Sequence, residues 1–172
     1  MADLTDTFVA YYSYEGRNIA PTKKKIEFEL ENYIEDNVVL CFDTSKFTDF
    51  EISAEKKINA NVTIFPSKVI ADVNWPLKIK KLDKTQDINK FSSEYSIRLD
   101  AMYETANSIV QHHISTNSSL MPLSYPGEIG LARNIYYSIN EFENGTYVVT
   151  GFDSQSKINN KPYEFKFAIK LK

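Results

Sequence analysis

The chain has 172 residues, a single-domain length that buries about 70% of the unfolded surface, with an ordinary globular composition of 42% hydrophobic and 25% charged residues. Its 20 Lys plus Arg against 23 Asp plus Glu give a net charge of −3, without the basic footprint that neutralising phosphates requires, so nucleic acid is excluded as the expected partner. The single cysteine, Cys41, excludes an intrachain disulfide, and no apolar run approaches the ~20 residues of a membrane span.

Residues 1–20 are polar and aromatic without a clear period and read as a lead-in, extended or briefly helical, before a single domain over 21–172. Pro21-Thr22 opens a helix in which Ile26, Leu30, Ile34, Val38 and Cys41 form one apolar stripe to about residue 41. Lys23 to Lys25, Glu27, Glu29 and Glu31 make its wet side, and Cys41 on the stripe is expected to be a buried structural thiol. A turn at 43–46 precedes a short strand around Phe50 and Ile52. Ile58, Ala60, Val62 and Ile64 then alternate with polar residues, and Val69, Ala71, Val73, Trp75, Leu77 and Ile79 do the same across a Phe65-Pro66-Ser67-Lys68 turn. Pro76 predicts a bulge or an edge. After a charged turn over 81–87, Phe91 to Leu99 reads as a strand running into a second helix. That helix carries Leu99, Met102, Tyr103, Ala106, Ile109, Val110, His113 and Ile114 at three-four spacing.

Residues 117–130 read as a long loop. Strands follow around Ile135, Tyr137 and Ile139, then Tyr147 and Val149 beyond an Asn144-Gly145 hairpin. After Asn159-Asn160, residues Tyr163 to Lys172 alternate as a strand with one face in a core and one in water. The expected fold is α+β: an antiparallel, twisted sheet of meanders with two amphipathic helices packed on one face, and Trp75 in the core.

Chemistry is not announced by motif. His112 and His113 diverge by about 100° on a helix and do not grip one metal. No phosphate loop, nucleophile elbow or His-Glu-x-x-His is present. No catalytic, cofactor-binding or metal-binding residue is assigned, and no cofactor is expected. Sequons at Asn61, Asn117 and Asn144 are about as many as the two that 14 Asn and 26 Ser plus Thr produce by chance. Tyr125, Tyr136 and Tyr137 form the candidate interaction surface, because interfaces favour Tyr; the competing reading packs them onto the sheet.

Three blocks carry a resemblance: Pro21-x4-Ile26-Glu27-x2-Leu30-x2-Tyr33-Ile34-x6-Cys41, Val73-Asn74-Trp75-Pro76-Leu77, and Arg98-Leu99-x3-Tyr103-Glu104-x-Ala106-x2-Ile109-Val110, with Tyr163-x-Phe165-x-Phe167-Ala168-Ile169 closing. Together they resemble an uncharacterised family of membrane-anchored proteins from small-genome archaea of the DPANN type. The resemblance implies one N-terminal membrane helix, which this chain lacks, and a soluble domain facing outward, extracytoplasmic and tethered in the full-length protein. It carries over no catalytic residue. The function expected is therefore a non-enzymatic extracytoplasmic domain that binds another protein or a cell-envelope component. The alternatives are a small-molecule or peptide module with a pocket of roughly 300 Å³ or more between helix and curved sheet, and a hydrolase whose site is assembled from distant residues.

Overall fold

The computed structural model describes residues 2–3, 8–116, 124–142 and 145–171, and its fold is α+β with mainly antiparallel strands. The sequons at Asn117 and Asn144 lie outside the described residues; Asn61 is exposed on a strand. In chain order the elements are β1 (Ala2–Asp3), β2 (Phe8–Val9), β3 (Tyr11–Tyr14), β4 (Arg17–Asn18), α1 (Lys23–Asn37), β5 (Glu51–Ala54), β6 (Asn59–Ile64), β7 (Val69–Lys81), β8 (Lys84–Tyr95), α2 (Leu99–Thr116), α3 (Ser124–Leu131), β9 (Ile135–Phe142), β10 (Thr146–Ile158) and β11 (Lys161–Lys170). They divide into two compact units. The first holds residues 1–23, 65–68 and 96–172; the second holds 24–64 and 69–95.

In the first unit a five-stranded sheet runs β4-β3-β11-β10-β9. All its pairs are antiparallel except β3 with β11. The lead-in is thus strand rather than helix: Tyr11 to Tyr14 pair with Ala168 to Lys170, and the β3–β4 turn sits at Glu15 (φ 50°) and Gly16 (φ 80°). The β10–β11 turn uses Asn159 and Asn160 in the left-handed region (φ 51° and 64°), which Asn tolerates better than most residues. Helix α2 buries Met102, Ala106, Ile109 and Val110, and the core cluster combines these last three with Tyr12, Val149, Phe167 and Ile169. The alternation read for the last strand holds only in its first half. Ala168 is buried on the other face with Val9 and Val148, because the N-terminal strands cover that face too.

Residues 124–130, expected inside a loop, belong instead to α3. Pro126 falls in its first turn, where a missing N–H interrupts no helical hydrogen bond. The other difference lies after α1. The helix ends at Asn37 and tightens into a 3₁₀ turn over Val38–Cys41, whose shorter period carries Cys41 off the apolar stripe into solvent. Cys41 is exposed rather than a buried structural thiol.

In the second unit β7 is central. It pairs with β8 along one side, and with β5 and β6 end to end along the other. The register shift between Asn74 and Leu77 brackets Pro76, as the missing donor predicts. The β7–β8 hairpin closes at Leu82-Asp83, tighter than the charged turn read over 81–87.

Helix α1 meets the outer edge of β6 in a way the reading of Glu27 and Glu31 as wet-side residues did not foresee. The Ile64, Val62 and Ala60 backbone N–H groups donate to carboxylate oxygens of Glu27, Glu31 and Glu35 at 2.9, 2.9 and 2.8 Å. Four residues of helix rise about 6.0 Å and two residues of strand about 6.8 Å, so a carboxylate on every fourth helical position meets every second amide. Three donors of a sheet edge are thereby satisfied without another strand. Glu31→Ala is expected to destabilise this unit by about 1–2 kcal/mol, since it strands the Val62 amide. Urea unfolding followed by Trp75 emission tests this, and Glu31→Gln should recover part of the loss.

Candidate functional site: an apolar cleft between helix and sheet

The residues on one face of β7 and β8 and the inner side of α1 enclose an apolar cleft in the second unit. Val73, Trp75 and Leu77 on β7 and Phe91 and Tyr95 on β8 form the floor. Tyr33, Ile34 and Val38, followed by Cys41 and Phe42, form the wall. The volume is about 530 Å³, within the range of small-molecule sites. The sequence makes this floor because period-two alternation puts Val69, Ala71 and Val73 on one face, and the pairs Val69–Tyr95, Ala71–Ser93 and Val73–Phe91 bring in β8. The glutamate ladder holds α1 at the β6 edge.

One end of the cleft is closely packed. Trp75 is 4% exposed and its indole Nε1 donates to the Glu55 carbonyl at 3.0 Å. Phe42 packs edge-on to it, with centroids 5.2 Å apart and planes at 75°. The other end is open: Phe91, Tyr95 and Tyr33 are 40%, 52% and 67% exposed. Polar groups in the lining are few: Asn37, Ser92, Ser93, the two tyrosine hydroxyls and the Cys41 thiol. Such a surface takes up apolar or aromatic groups and offers them little polar orientation.

The tyrosines expected to form a surface lie in the first unit and face different ways. Tyr136 is 58% exposed on β9. Tyr137, its neighbour, points to the opposite face, partly buried against the core cluster. Burial pushes the Tyr137 hydroxyl up to about 12, against the opposing influences of Thr105 and Arg133. Its ring covers Gly151, where an added Cβ would sit 2.8 Å from Tyr137 Cε1 and 2.9 Å from Met102 Cε. Tyr125 on α3 is half-buried and stacks on His112, with centroids 3.7 Å apart and planes 9° from parallel. His113 faces the core; burial, with a smaller contribution from His112, lowers its pKa. Among the described residues no three His, Cys, Asp or Glu side chains gather where they would hold a metal ion, and no helix is long and apolar enough to cross a membrane.

A buried polar clasp lies at the start of α2. Asp153 lies on the same face of β10 as Val149 and Gly151 and is buried there, and the register slip that follows, between Asp153 and Lys157, brings Ser156 in beside it. The Arg98 guanidinium donates through Nε (2.9 Å) and Nη2 to the two Asp153 oxygens, and also to the Arg133 carbonyl at 3.1 Å. Ser156 Oγ donates to Asp153 and accepts the Arg98 backbone N–H at 2.9 Å, while the Gln155 amide donates to Asp153 at 3.0 Å. Burial alone would raise the Asp153 pKa, but these donors and the Arg98 charge outweigh it and hold the carboxyl below its ordinary value. Every Asp153 oxygen is occupied by protein donors, which makes the cluster a structural anchor rather than a reacting group.

Comparison with protein families, with curated proteins and with solved structures gives no match to this chain. The functional reading therefore rests on the cleft and its chemistry.

Proposed function

We propose that this chain is a non-enzymatic binding module whose second unit holds an apolar or aromatic group of another protein or a cell-envelope component in the cleft between α1 and the sheet. The observation that carries this reading is an apolar hollow of about 530 Å³ with an ordered aromatic end at Phe42 and Trp75 and an open end at Phe91 and Tyr95. The outward-facing tethered domain implied by the family resemblance agrees with such a role. Capture of a free small molecule is the second reading, favoured by the same volume.

Trp75 is the only tryptophan in the chain, so the cleft carries its own fluorophore. The apolar probe 8-anilinonaphthalene-1-sulfonate is expected to bind with energy transfer from Trp75. Ser93→Phe, which fills the floor from an exposed strand position, is expected to weaken that binding at least about tenfold, the scale of losing one well-packed apolar contact. Alkylation of Cys41 on the wall should act in the same direction. Undiminished energy transfer in both altered proteins would overturn the reading.

A further inference from the structure

Every point at which the chain enters or leaves the second unit lies at one end of its sheet. The crossings fall after residues 23, 64, 68 and 95. Ile64 pairs with Val69 and Val69 with Tyr95, while Glu27, near the start of α1, accepts the Ile64 amide. The far end is built from the β7–β8 turn and the segment that joins α1 to β5. Because β7 is thirteen residues long, the two ends stand about 40 Å apart. Exposed apolar side chains collect at the far end. Leu82, at the hairpin tip, is 85% exposed, the highest value among the large hydrophobic residues described, and Leu40, Phe47 and Phe50 are exposed as well. Phe47 stacks on Phe42, the Phe50 amide donates to the Phe47 carbonyl, and the Lys81 ammonium sits 4.7 Å above the Phe50 ring, which ties this segment to the tip. Leu82 carries a second cost: its φ of 53° is in the left-handed region, which Gly, Asn or Asp reach more easily. The other described residues at positive φ are polar or glycine. With so much of it in water, the Leu82 side chain returns little of that cost to the fold, and such an outlier points to a use outside it.

We propose that this end of the second unit inserts shallowly into the interfacial layer of a lipid bilayer, through the side chains of Leu82, Leu40, Phe47 and Phe50. The choice of lipid over a protein partner follows from the charges between these side chains. Lys81, Asp83 and Lys84 flank Leu82 in sequence, and Lys80 and Lys81 pair with Glu51 and Asp49 at 3.2 and 3.8 Å. A protein pocket closing over Leu82 would strip water from these charges, which the centres of protein interfaces avoid. A headgroup layer stays wet. There the lysine stems lie along the apolar side chains while the ammonium groups keep their water. Across residues 39–51 and 80–84 four lysines meet four carboxylates, so insertion of apolar groups drives the contact rather than attraction to anionic lipid. The inference is independent of what occupies the cleft.

Flotation of the full chain with vesicles of pure phosphatidylcholine at millimolar lipid tests it. The chain is expected to float with the vesicles, and to do so equally at about 0.5 M salt, where surface charges are screened. Leu82→Asn should lower the partition coefficient about tenfold, the scale of withdrawing one large apolar side chain. The same substitution should leave the urea midpoint unchanged or raise it, because Asn adopts the left-handed turn more readily. Lost binding is thereby separated from lost folding. In a Cys41→Ser background, an environment-sensitive fluorophore on Leu82→Cys should shift to the blue on vesicles. The same label on Ser67→Cys, in the turn at the opposite end of β7, should not shift. Failure of the wild type to float, or flotation indifferent to Leu82→Asn, overturns the proposal. So does flotation confined to anionic vesicles and lost at high salt, which would mark adsorption by charge. Self-association that Leu82→Asn abolishes, without vesicle binding, would assign the patch to a protein partner and equally overturn it.

Discussion

Replacing Asp153 with alanine is expected to lower the stability of the first unit by about 3–5 kcal/mol, because it leaves the Arg98 guanidinium mostly buried without its carboxylate. The bulge at Ser154 to Ser156 and the entry to α2 would lose their common tie, since Ser156 and Gln155 also donate to this carboxylate. Urea unfolding followed by circular dichroism reads the loss, and an unshifted midpoint would show that the clasp contributes nothing. Arg98→Met should be comparably damaging, and the double variant less so than the sum, because the second substitution removes the charge that the first left unpaired. The pH dependence has a definite sign. A folded pKa below the unfolded value near 3.9 gives stability that is full above that value and lost as pH falls through the folded pKa. In the alanine variant this acid-limb contribution should vanish, flattening the stability profile below about pH 4.

The second large effect is expected from Phe167→Ala. Phe167 is fully buried in β11 and tilts against Tyr12 with centroids 5.2 Å apart, so truncation opens a cavity between the sheet and α2. The expected loss is about 3–5 kcal/mol. At this chain length the melting temperature should fall by roughly 10 °C. Phe167→Leu should restore much of it, because partial refilling of the volume removes most of the cavity cost. A melting temperature within 2 °C or so of wild type would contradict the close packing described for this cluster.

Much of the fold was legible because it is written in local periods. The three-four spacing from Leu99 to Ile114 matches α2, including the inward His113 and the outward His112. The alternations around Val62 and Val73 match β6 and β7, with Trp75 in the core and a bulge at Pro76. What remained unread depends on partners distant in sequence. Asp153 is 55 residues from Arg98, and nothing local marks the bulge that brings Ser156 to the same carboxylate. The parallel pairing of Tyr11 to Tyr14 with Ala168 to Lys170 joins segments from opposite ends of the sequence. The glutamate ladder left a trace, since Glu27, Glu31 and Glu35 repeat every four residues, but that spacing equally suits a solvated helix face. The cleft is the hardest case. Its lining residues are recognisable as apolar, yet the gap they leave between helix and sheet is set by how α1 is held at the β6 edge, and the four-residue spacing of the glutamates does not say which strand they meet.

The pairing of β3 with β11 also fixes an order of events during synthesis. Residues 24–95 contain every strand partner the second unit uses, so that unit is complete in sequence when more than seventy residues remain to be translated. The aromatic strand at Tyr11 to Tyr14 has emerged before all of it, yet β11, the longer of its two neighbours, is made only after the second unit is complete in sequence. Until β11 is made, the Tyr-rich strand has only the two-residue β4 to pair with, and its other edge waits for a partner. The interval before β11 arrives is the period in which a chaperone has most to shield.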